Sequence, residues 1–515
     1  MILVPPQMIP EIDRYACEVL GIPTLTLMDR AGGAVADAVR TYVPKGSSVS
    51  VFAGKGNNGG DGYAAALKLM SDYTVTVYDV FSAGQRSEEG KHFLYGYTAA
   101  GGTVLPLTFD EKQLQDIRSS QCVVDAVFGT GYTGALPDVA IKLADVIMSM
   151  DDAVKIAIDV PLGIDSALGT LVLPQTYIAT ATVILGFVKT GLVSYPARKY
   201  LGNLIYDNLG LQNESVSKCF AIKDYCVDGE LALQLLPKRA IDSHKGTFGK
   251  LLMITGSSTY QGAAHLTLEA ALRSGVGYVT YLGEKELCDS LVLKFPEVIY
   301  KPCCVSNLTE SELDALSQSY SAILIGSGLG QSKPDELYRI LEQLLKTDGS
   351  PIVLDADAIN VLAKDTRRSS DLIASSPRKI ILTPHPLEFS RLTDIPIQHI
   401  NGNRLALART FASEKKCTLV LKGAGTIVCD GQSTYVNSSG SSALAKAGSG
   451  DVLAGHLAAL VALGIDPTRA SALAVYLHGA AADSLAEEMS EFGVTPSDLP
   501  AEIARQITKL EKNRK

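Results

Sequence analysis

Two short stretches hold most of the residues able to do chemistry: "GKGNNGGDGY" (Gly54–Tyr63) and "KAGSGDVLAG" (Lys446–Gly455). Each sets glycines and an aspartate between an apolar run and an alanine-rich one. A glycine turn that opens a helix presents unpaired N–H groups and a partly positive end, which suits an anion. The two stretches differ in their polar residues. Asn57 and Asn58 offer carbonyl oxygens as well as donors, and Asp61 adds an anion where a pyrophosphate would be repelled. The first turn is therefore expected to serve a polar ligand or a cation as much as phosphate. In the second, Gly448 and Gly450 let N–H groups face an anion, with the helix expected to begin at about Asp451. There Asp451 could deprotonate a hydroxyl while the N–H groups hold a phosphoryl group. The plainer alternative makes Asp451 only the N-cap.

Two more aspartates belong with the first stretch. "VVDAVFGTGYTG" puts Asp125 near a strand's end, followed by Gly129, Gly131 and Gly134, and "IAIDVPLGIDSALG" puts Asp159 at the end of another. Acids at strand ends also serve as helix caps and turn formers. In open α/β sheets, however, ligands sit beyond the carboxyl ends of the strands. Three consecutive loops would then present Asn57, Asn58, Asp61, Asp125 and Asp159 together.

The elements that must hold these residues alternate along the whole chain. Short β-branched runs ("SVSVFAG", "TVTVYDV", "CVVDAVFG", "KIAIDVP", "ATVILGF") are separated by helical stretches such as Tyr63–Met70. Several lack polar alternation, as strands buried on both faces do. This is the βαβ pattern of a doubly wound parallel sheet. It lapses over "LGLQNESVSKCFAIKDYCVD" and restarts with "KLLMITG", "GYVTYLG", "SAILIGSG", "PIVLDAD", "KIILTPH" and "TLVLKGAGTIVCD". A chain of 515 residues is too long for one compact core. The expectation is α/β throughout, with an N-terminal Rossmann-like domain over 1–212, a linker over 213–226 and a second α/β domain over 227–515.

Composition excludes several classes. Net charge is −9, with basic residues interleaved among acids, so no nucleic-acid footprint is expected. Nine scattered cysteines without a C-x-x-C pair argue against zinc ribbons and thioredoxin-type sites. They read as buried reduced thiols. The start "MILVPPQMIPEIDRY" is not a signal peptide, and no apolar run approaches the roughly 20 residues that span a bilayer. A soluble cytoplasmic protein, free of membrane partners and forming a homo-oligomer, is expected.

Five motifs occur in order in the first half: "LMDRAG", "GKGNNGGDG", "DAVFGTGYTG", "DVPLGID" and "GFVKTGL". Together they resemble the NAD(P)H-hydrate epimerase domain over residues 1 to 212. The resemblance implies that hydrated NADH or NADPH binds to Asn57, Asn58, Gly59, Gly60 and Asp61. It extends the site to Gly129, Thr130, Gly131, Tyr132, Thr133, Gly134 and Ala135, with Asp159 as the acid/base. It also implies a potassium ion on Asn58 and Asp125. Leu162 stands where the family usually has serine, so a third contact there would come from the backbone alone.

The second half resembles the ADP-dependent NAD(P)H-hydrate dehydratases, which are ribokinase-like. The matching motifs are "HKGTFGKLLMITGSSTYQGAAHLTLEAALRSGVGYVT", "IGSGLG", "LDADAIN", "LTPHPLEFSRL", "LKGAGTIV", "KAGSGDVLAG" and "LHGAAADSLA". This second resemblance implies hydrate binding by Ala263, Gly328, His385 and Asp451. ADP, with Mg2+, would be held by Lys422, Gly423, Ala424, Gly425, Thr426 and Gly450. Asp451 would be the base. Leu387 departs from the family, which usually has glycine there. Asp355 and Asp357 read as loop support, since they face one way only if their strand continues past Leu354. His244 and His478 are weaker candidates, and His92, His265, His399 and His456 read as bystanders. The function implied is a bifunctional repair enzyme that epimerises the R and S hydrates. It then dehydrates the S form at the expense of ADP. Three rivals stand beside it: a ribokinase-type small-molecule kinase with a noncatalytic N-terminal binding domain, a scaffolding first half, and a Rossmann oxidoreductase. The last would want a fuller glycine fingerprint.

Overall fold

The computed structural model describes residues 1–81, 86–132 and 134–514. The chain forms two compact units, Ile2–Asp224 and Tyr225–Lys515, with Met1 counted in the second. The stretch 213–226, expected to be a linker, carries the helix Asn213–Cys219 and most of the strand Asp224–Val227. No helix among the described residues is long and apolar enough to cross a membrane.

The first unit is built on a seven-stranded sheet. Across it run Thr103–Pro106, Thr74–Asp79, Ser48–Ala53, Cys122–Ala126, Val154–Ile158, Ala181–Leu185 and Asn203–Asp207, all parallel. The Cys122–Ala126 strand is buried along its whole length, as a strand with helices on both faces must be. A two-residue parallel pairing, Leu3–Val4 with Val188–Lys189, ties the N-terminal segment beside the carboxyl ends.

Ten strands make the sheet of the second unit. Its parallel run is Thr418–Leu421, Ile380–Leu382, Ile352–Leu354, Ala322–Ile325, Lys250–Ile254, Tyr278–Gly283 and Ile299–Pro302. Ile427–Cys429 and Thr434–Asn437 continue it antiparallel from the Thr418 side, and Asp224–Val227 closes that edge. "TLVLKGAGTIVCD" is thus two strands joined by a tight hairpin. The largest core packs the helices Gln261–Arg273, Ser449–Ala462 and Pro467–Gly493 on this sheet.

Candidate active sites

The Ser48–Ala53 strand feeds a helix that begins at Asn57 rather than Tyr63 and runs to Leu69. The Asn-Asn-Gly-Gly-Asp stretch is therefore helical, not a loop. Its glycines permit close approach. A Cβ on Gly59 would lie 2.0 Å from the Gly54 carbonyl oxygen, and one on Gly62 would lie 2.6 Å from the Ala126 Cβ. This packing buries Asn58 and Asp61 and leaves Asn57 exposed.

Asp125 is buried, and its carboxylate gathers three donors. Val127 N lies 3.1 Å from Oδ1, while Leu162 N (2.7 Å) and Tyr177 OH (2.5 Å) share Oδ2. Burial lifts its pKa above the ordinary value, and the three donors oppose the rise. The Leu162 carbonyl accepts from Thr176 Oγ1 at 2.6 Å. Asn58 Nδ2 is buried without a partner among the described residues, and a Cβ on Gly129 would sit 3.5 Å from Asn58 Oδ1. Asn58 thus faces the glycine turn that follows Asp125's strand.

Asp159 ends its strand in the left-handed region, φ 65°. Its side chain forms a buried ion pair with Lys189, whose Nζ also donates to Leu185 O at 3.0 Å. Lys189 lies within "GFVKTGL" yet received no role from the sequence. The available signal was a lysine inside an otherwise apolar run. Asp13 was missed as well. It sits on the helix Ile9–Glu18 and lines the same cleft, which has a volume of ≈ 680 Å³. Burial pushes Asp13 up to about 6, with Lys189 opposing and Asp159 adding. Burial also carries Asp61 well above its usual value, reinforced by Asp159 and Asp13 against Lys189. Of these carboxyls Asp61 is the one whose surroundings most favour the protonated form. It lines the same cleft as the Asp159–Lys189 ion pair.

Of the expected epimerase contacts, Asn57, Asn58, Asp61, Gly129, Thr130, Gly131, Tyr132 and Asp159 line this cleft. Gly59 and Gly60 pack inward, while Gly134 and Ala135 are not part of the lining. Thr133 lies outside the described residues.

In the second unit the helix Ser449–Ala462 is capped by Gly448 at φ 99°, without a side-chain cap. Asp451 is therefore inside the first turn and is not the N-cap. Close packing of this helix is set by Gly455, where a Cβ would lie 2.2 Å from the Thr267 carbonyl oxygen. Lys422, at the end of the Thr418–Leu421 strand, reaches to the helix start: a Cβ on Gly450 would be 3.5 Å from its Nζ. The same ammonium lies 3.0 Å from Asp355 Oδ1 and 4.0 Å from Glu388 Oε2. Burial acts against it, but Asp355, Glu388 and Asp451 hold its pKa above the ordinary lysine value.

The Ile352–Leu354 strand stops at Leu354, and Ala356 turns at φ 47°. Asp355 and Asp357 accordingly do not share a strand face. Asp355 accepts from Ser327 Oγ at 2.8 Å and Thr383 Oγ1 at 2.6 Å, besides Lys422. Asp357 accepts from Gly330 N at 2.8 Å. Asp355 and Glu388 are thus part of the charged cluster, which the sequence did not reveal. Burial pushes Asp451 up to about 7, with Asp355 and Asp357 adding and Lys422 opposing. A carboxylate near neutral is a well-matched general base.

His385 is half-exposed and caps the helix Pro386–Thr393, its Nδ1 accepting from Leu387 N and Glu388 N. Its Nε2 faces the Glu388 carboxylate, 3.4 Å from Oε1. Ala263 and Gly328 come together, since a Cβ on Gly328 would lie 2.4 Å from the Ala263 Cβ. His244 caps a short turn, while His456 and His478 are buried, which pushes them down to about 3 and about 4.

The Lys422–Thr426 loop joins two antiparallel strands. Arg404 was not expected there. Its buried guanidinium donates to the carbonyls of Ala424 (2.5 Å), Leu421 (3.0 Å) and Lys422 (3.1 Å). Among the described residues Arg404 has no carboxylate partner, and the N–H groups of Gly423, Ala424 and Gly425 make no hydrogen bond within the chain. Burial alone lowers Arg404 to about 10. A buried cation below and free N–H groups above make the loop a ready anion seat.

Residues 24–191 match the family model of the YjeF-related protein N-terminus, and residues 251–505 match that of the NAD(P)H-hydrate dehydratases. A "Bifunctional NAD(P)H-hydrate repair enzyme Nnr" of Coxiella burnetii is 35% identical over 498 residues, covering 95% of this chain and 96% of its own. The protein of that name from Escherichia coli is 32% identical, covering 96% of this chain and 92% of its own. Among solved structures, an ADP/ATP-dependent NAD(P)H-hydrate dehydratase from Bacillus subtilis, co-crystallised with ATP and Mg2+, is 31% identical. It has a TM-score of 0.50 and covers 56% of this chain and 98% of its own. These likenesses favour hydrate repair over the small-molecule kinase. Matched along nearly its whole length, the chain belongs to the bifunctional NAD(P)H-hydrate repair enzymes.

Proposed function

We propose that Asp159 with Lys189 carries the proton transfers of epimerisation, and that Asp451 carries the one that starts dehydration. In the first cleft a protonated carboxyl gives its proton to the 6-hydroxyl, which leaves as water while the ring nitrogen's lone pair forms a planar iminium. Water returns on the other face, and a carboxylate takes its proton. Both directions use the same groups.

Asn58 and Asp125 Oδ1 are the hard oxygens suited to potassium, and the orphaned amide of Asn58 fits a side chain whose carbonyl is turned to a cation. Leu162 fits less well, because its carbonyl already accepts from Thr176. Potassium, when bound, would supply positive charge to an anionic substrate.

In the second site Asp451 takes the proton of the 6-hydroxyl, whose oxygen attacks the β-phosphorus of ADP. The bond from that phosphorus to the bridging oxygen breaks and AMP leaves. The ring nitrogen's lone pair then expels phosphate from C6, and loss of a C5 proton restores the dihydropyridine. Lys422, the loop N–H groups at 423–425 and the start of the Ser449–Ala462 helix would hold the ADP. Mg2+, when bound with ADP, supplies further charge neutralisation on its phosphates. The observation that carries this reading is Asp451 in the first turn of a glycine-capped helix, beside Lys422 and pushed to about 7.

The test is to incubate the protein with hydrated NADH and ADP and to follow dihydronicotinamide absorbance. Its return, with AMP and free phosphate, is expected. A stable phosphate ester without reduced dinucleotide would return the protein to the kinases.

A further inference from the structure

The epimerase cleft has a wall that the chemistry above does not use. Phe128 and Tyr132 stack with ring centroids 3.9 Å apart and planes at 30°, and Phe81 lies 5.6 Å from Phe128. Lys55 stands over Phe81, 5.3 Å from the ring centroid. All four residues line the cleft, and the three rings are only half-buried. Aromatic faces left partly open beside a cation are an incomplete stack that a planar anionic ligand can finish.

Sheet order places this wall. Phe81 follows the Thr74–Asp79 strand, Lys55 follows Ser48–Ala53, and Phe128 follows Cys122–Ala126. Asp159 follows Val154–Ile158, and Leu185 ends the next strand. The strand before Phe81 is three spacings from the one before Asp159, roughly 14 Å at ~4.8 Å each. Between them in sheet order comes the Ser48–Ala53 strand, whose following helix Asn57–Leu69 lines the cleft with Asn57, Asn58 and Asp61. A dinucleotide has the matching order: a reacting ring, a pyrophosphate and a second ring.

Resting on the assignment of Asp159 to epimerisation, we propose that Phe81, Phe128 and Tyr132 form the seat for the purine ring of the hydrated dinucleotide. Lys55 meets the phosphate next to it. The hydrated nicotinamide then lies at the Asp159–Lys189 end, and the wall adds affinity without touching the reaction.

The experiment compares hydrated NADH with the hydrate of reduced nicotinamide mononucleotide, which lacks the purine. In the wild type the mononucleotide should be epimerised with a KM raised about tenfold, the size of one base–aromatic stack. Phe128→Leu should raise KM for hydrated NADH about tenfold, leave kcat within about twofold, and leave the mononucleotide's kinetics unchanged. Phe81→Leu, outside the stacked pair, should show the same split, so misfolding of one variant does not decide the matter. Equal losses on both substrates in both variants would overturn the proposal, because the wall would then serve the nicotinamide end or the fold. Unchanged KM for hydrated NADH would overturn it too. A wild-type protein unable to interconvert the R and S forms of either substrate would instead sink the epimerase reading itself.

Discussion

In the N-terminal unit Asp159 is locked to a buried lysine, whereas in the C-terminal unit Asp451 has no ion-pair partner among the described residues and is pushed to about 7. Lys422 comes near Asp451 but is taken up by Asp355, and in part by Glu388. The difference matches the work proposed for each aspartate. Epimerisation must move a proton in both directions, and Asp61, pushed towards its protonated form, lines the same cleft as the Asp159–Lys189 pair. Dehydration needs a base that takes one proton and keeps it through phosphoryl transfer.

The sharpest break of this comparison is Asp451→Ala. Dehydration should fall by about 10³-fold, the loss of a general base, while R-to-S epimerisation is unchanged. Equal slowing of both reactions would show that the sites are not separate. The same aspartate sets a pH profile: kcat/KM for dehydration should rise with pH through about 7, as Asp451 loses its proton. Stability should run the other way. Between 3.8 and about 7 the folded chain holds a proton that the unfolded chain has released, so stability falls as pH rises through that window. Asp451→Asn removes the fall. The variant should gain on wild type above neutral pH and match it in acid, measured as thermal midpoint against pH.

Lys189→Met tests the other side. Removing one partner of a buried pair leaves Asp159 uncompensated, which typically costs about 3–5 kcal/mol. Denaturant unfolding should show the first unit weakened, and epimerisation should be lost with dehydration retained. Asp159→Leu combined with Lys189→Met should recover much of the stability and none of the activity.

Both aspartates were visible in the sequence because each comes after an apolar strand or loop and stands among glycines. The parallel order of the sheets was legible because buried strands lack alternation. What escaped was whatever depends on contact between distant segments. Lys189 reads as a stray charge until the end of the Val154–Ile158 strand is set beside it, and Asp13 until Leu3–Val4 pairs with Val188–Lys189. The helical state of Asn57–Asp61 was hidden by its glycines, which ordinarily signal a turn. Here they are required by contacts with Gly54 and Ala126. Arg404 is the first residue of the helix Arg404–Lys415, and nothing local marks it as the support of a hairpin.

Arg404 supplies a milder test. Arg404→Met frees three carbonyls and removes the buried charge beside the loop proposed to hold ADP. KM for ADP should rise about tenfold or more, as the loss of charged hydrogen bonds predicts, with epimerisation untouched. Arg404→Lys keeps the charge without the planar fork and should recover only part of the loss. Complete recovery would assign the effect to charge alone.

The smallest effect concerns His385, where cap and contact can be pulled apart. Its Nδ1 holds two N–H groups of the Pro386–Thr393 helix, and a hydrate would have to share Nε2 with Glu388 Oε1, 3.4 Å away. His385→Ala should cost about 1 kcal/mol of stability, as the loss of a cap does. His385→Asn keeps a capping oxygen at the same place and should restore that stability, yet it cannot present an Nε2 to substrate. If KM for the S hydrate in the Asn variant rises several-fold at full stability, the ring contacts substrate. If KM returns with stability, His385 is a cap and nothing more, and recognition of the hydrate falls to Ala263, Gly328 and Asp451.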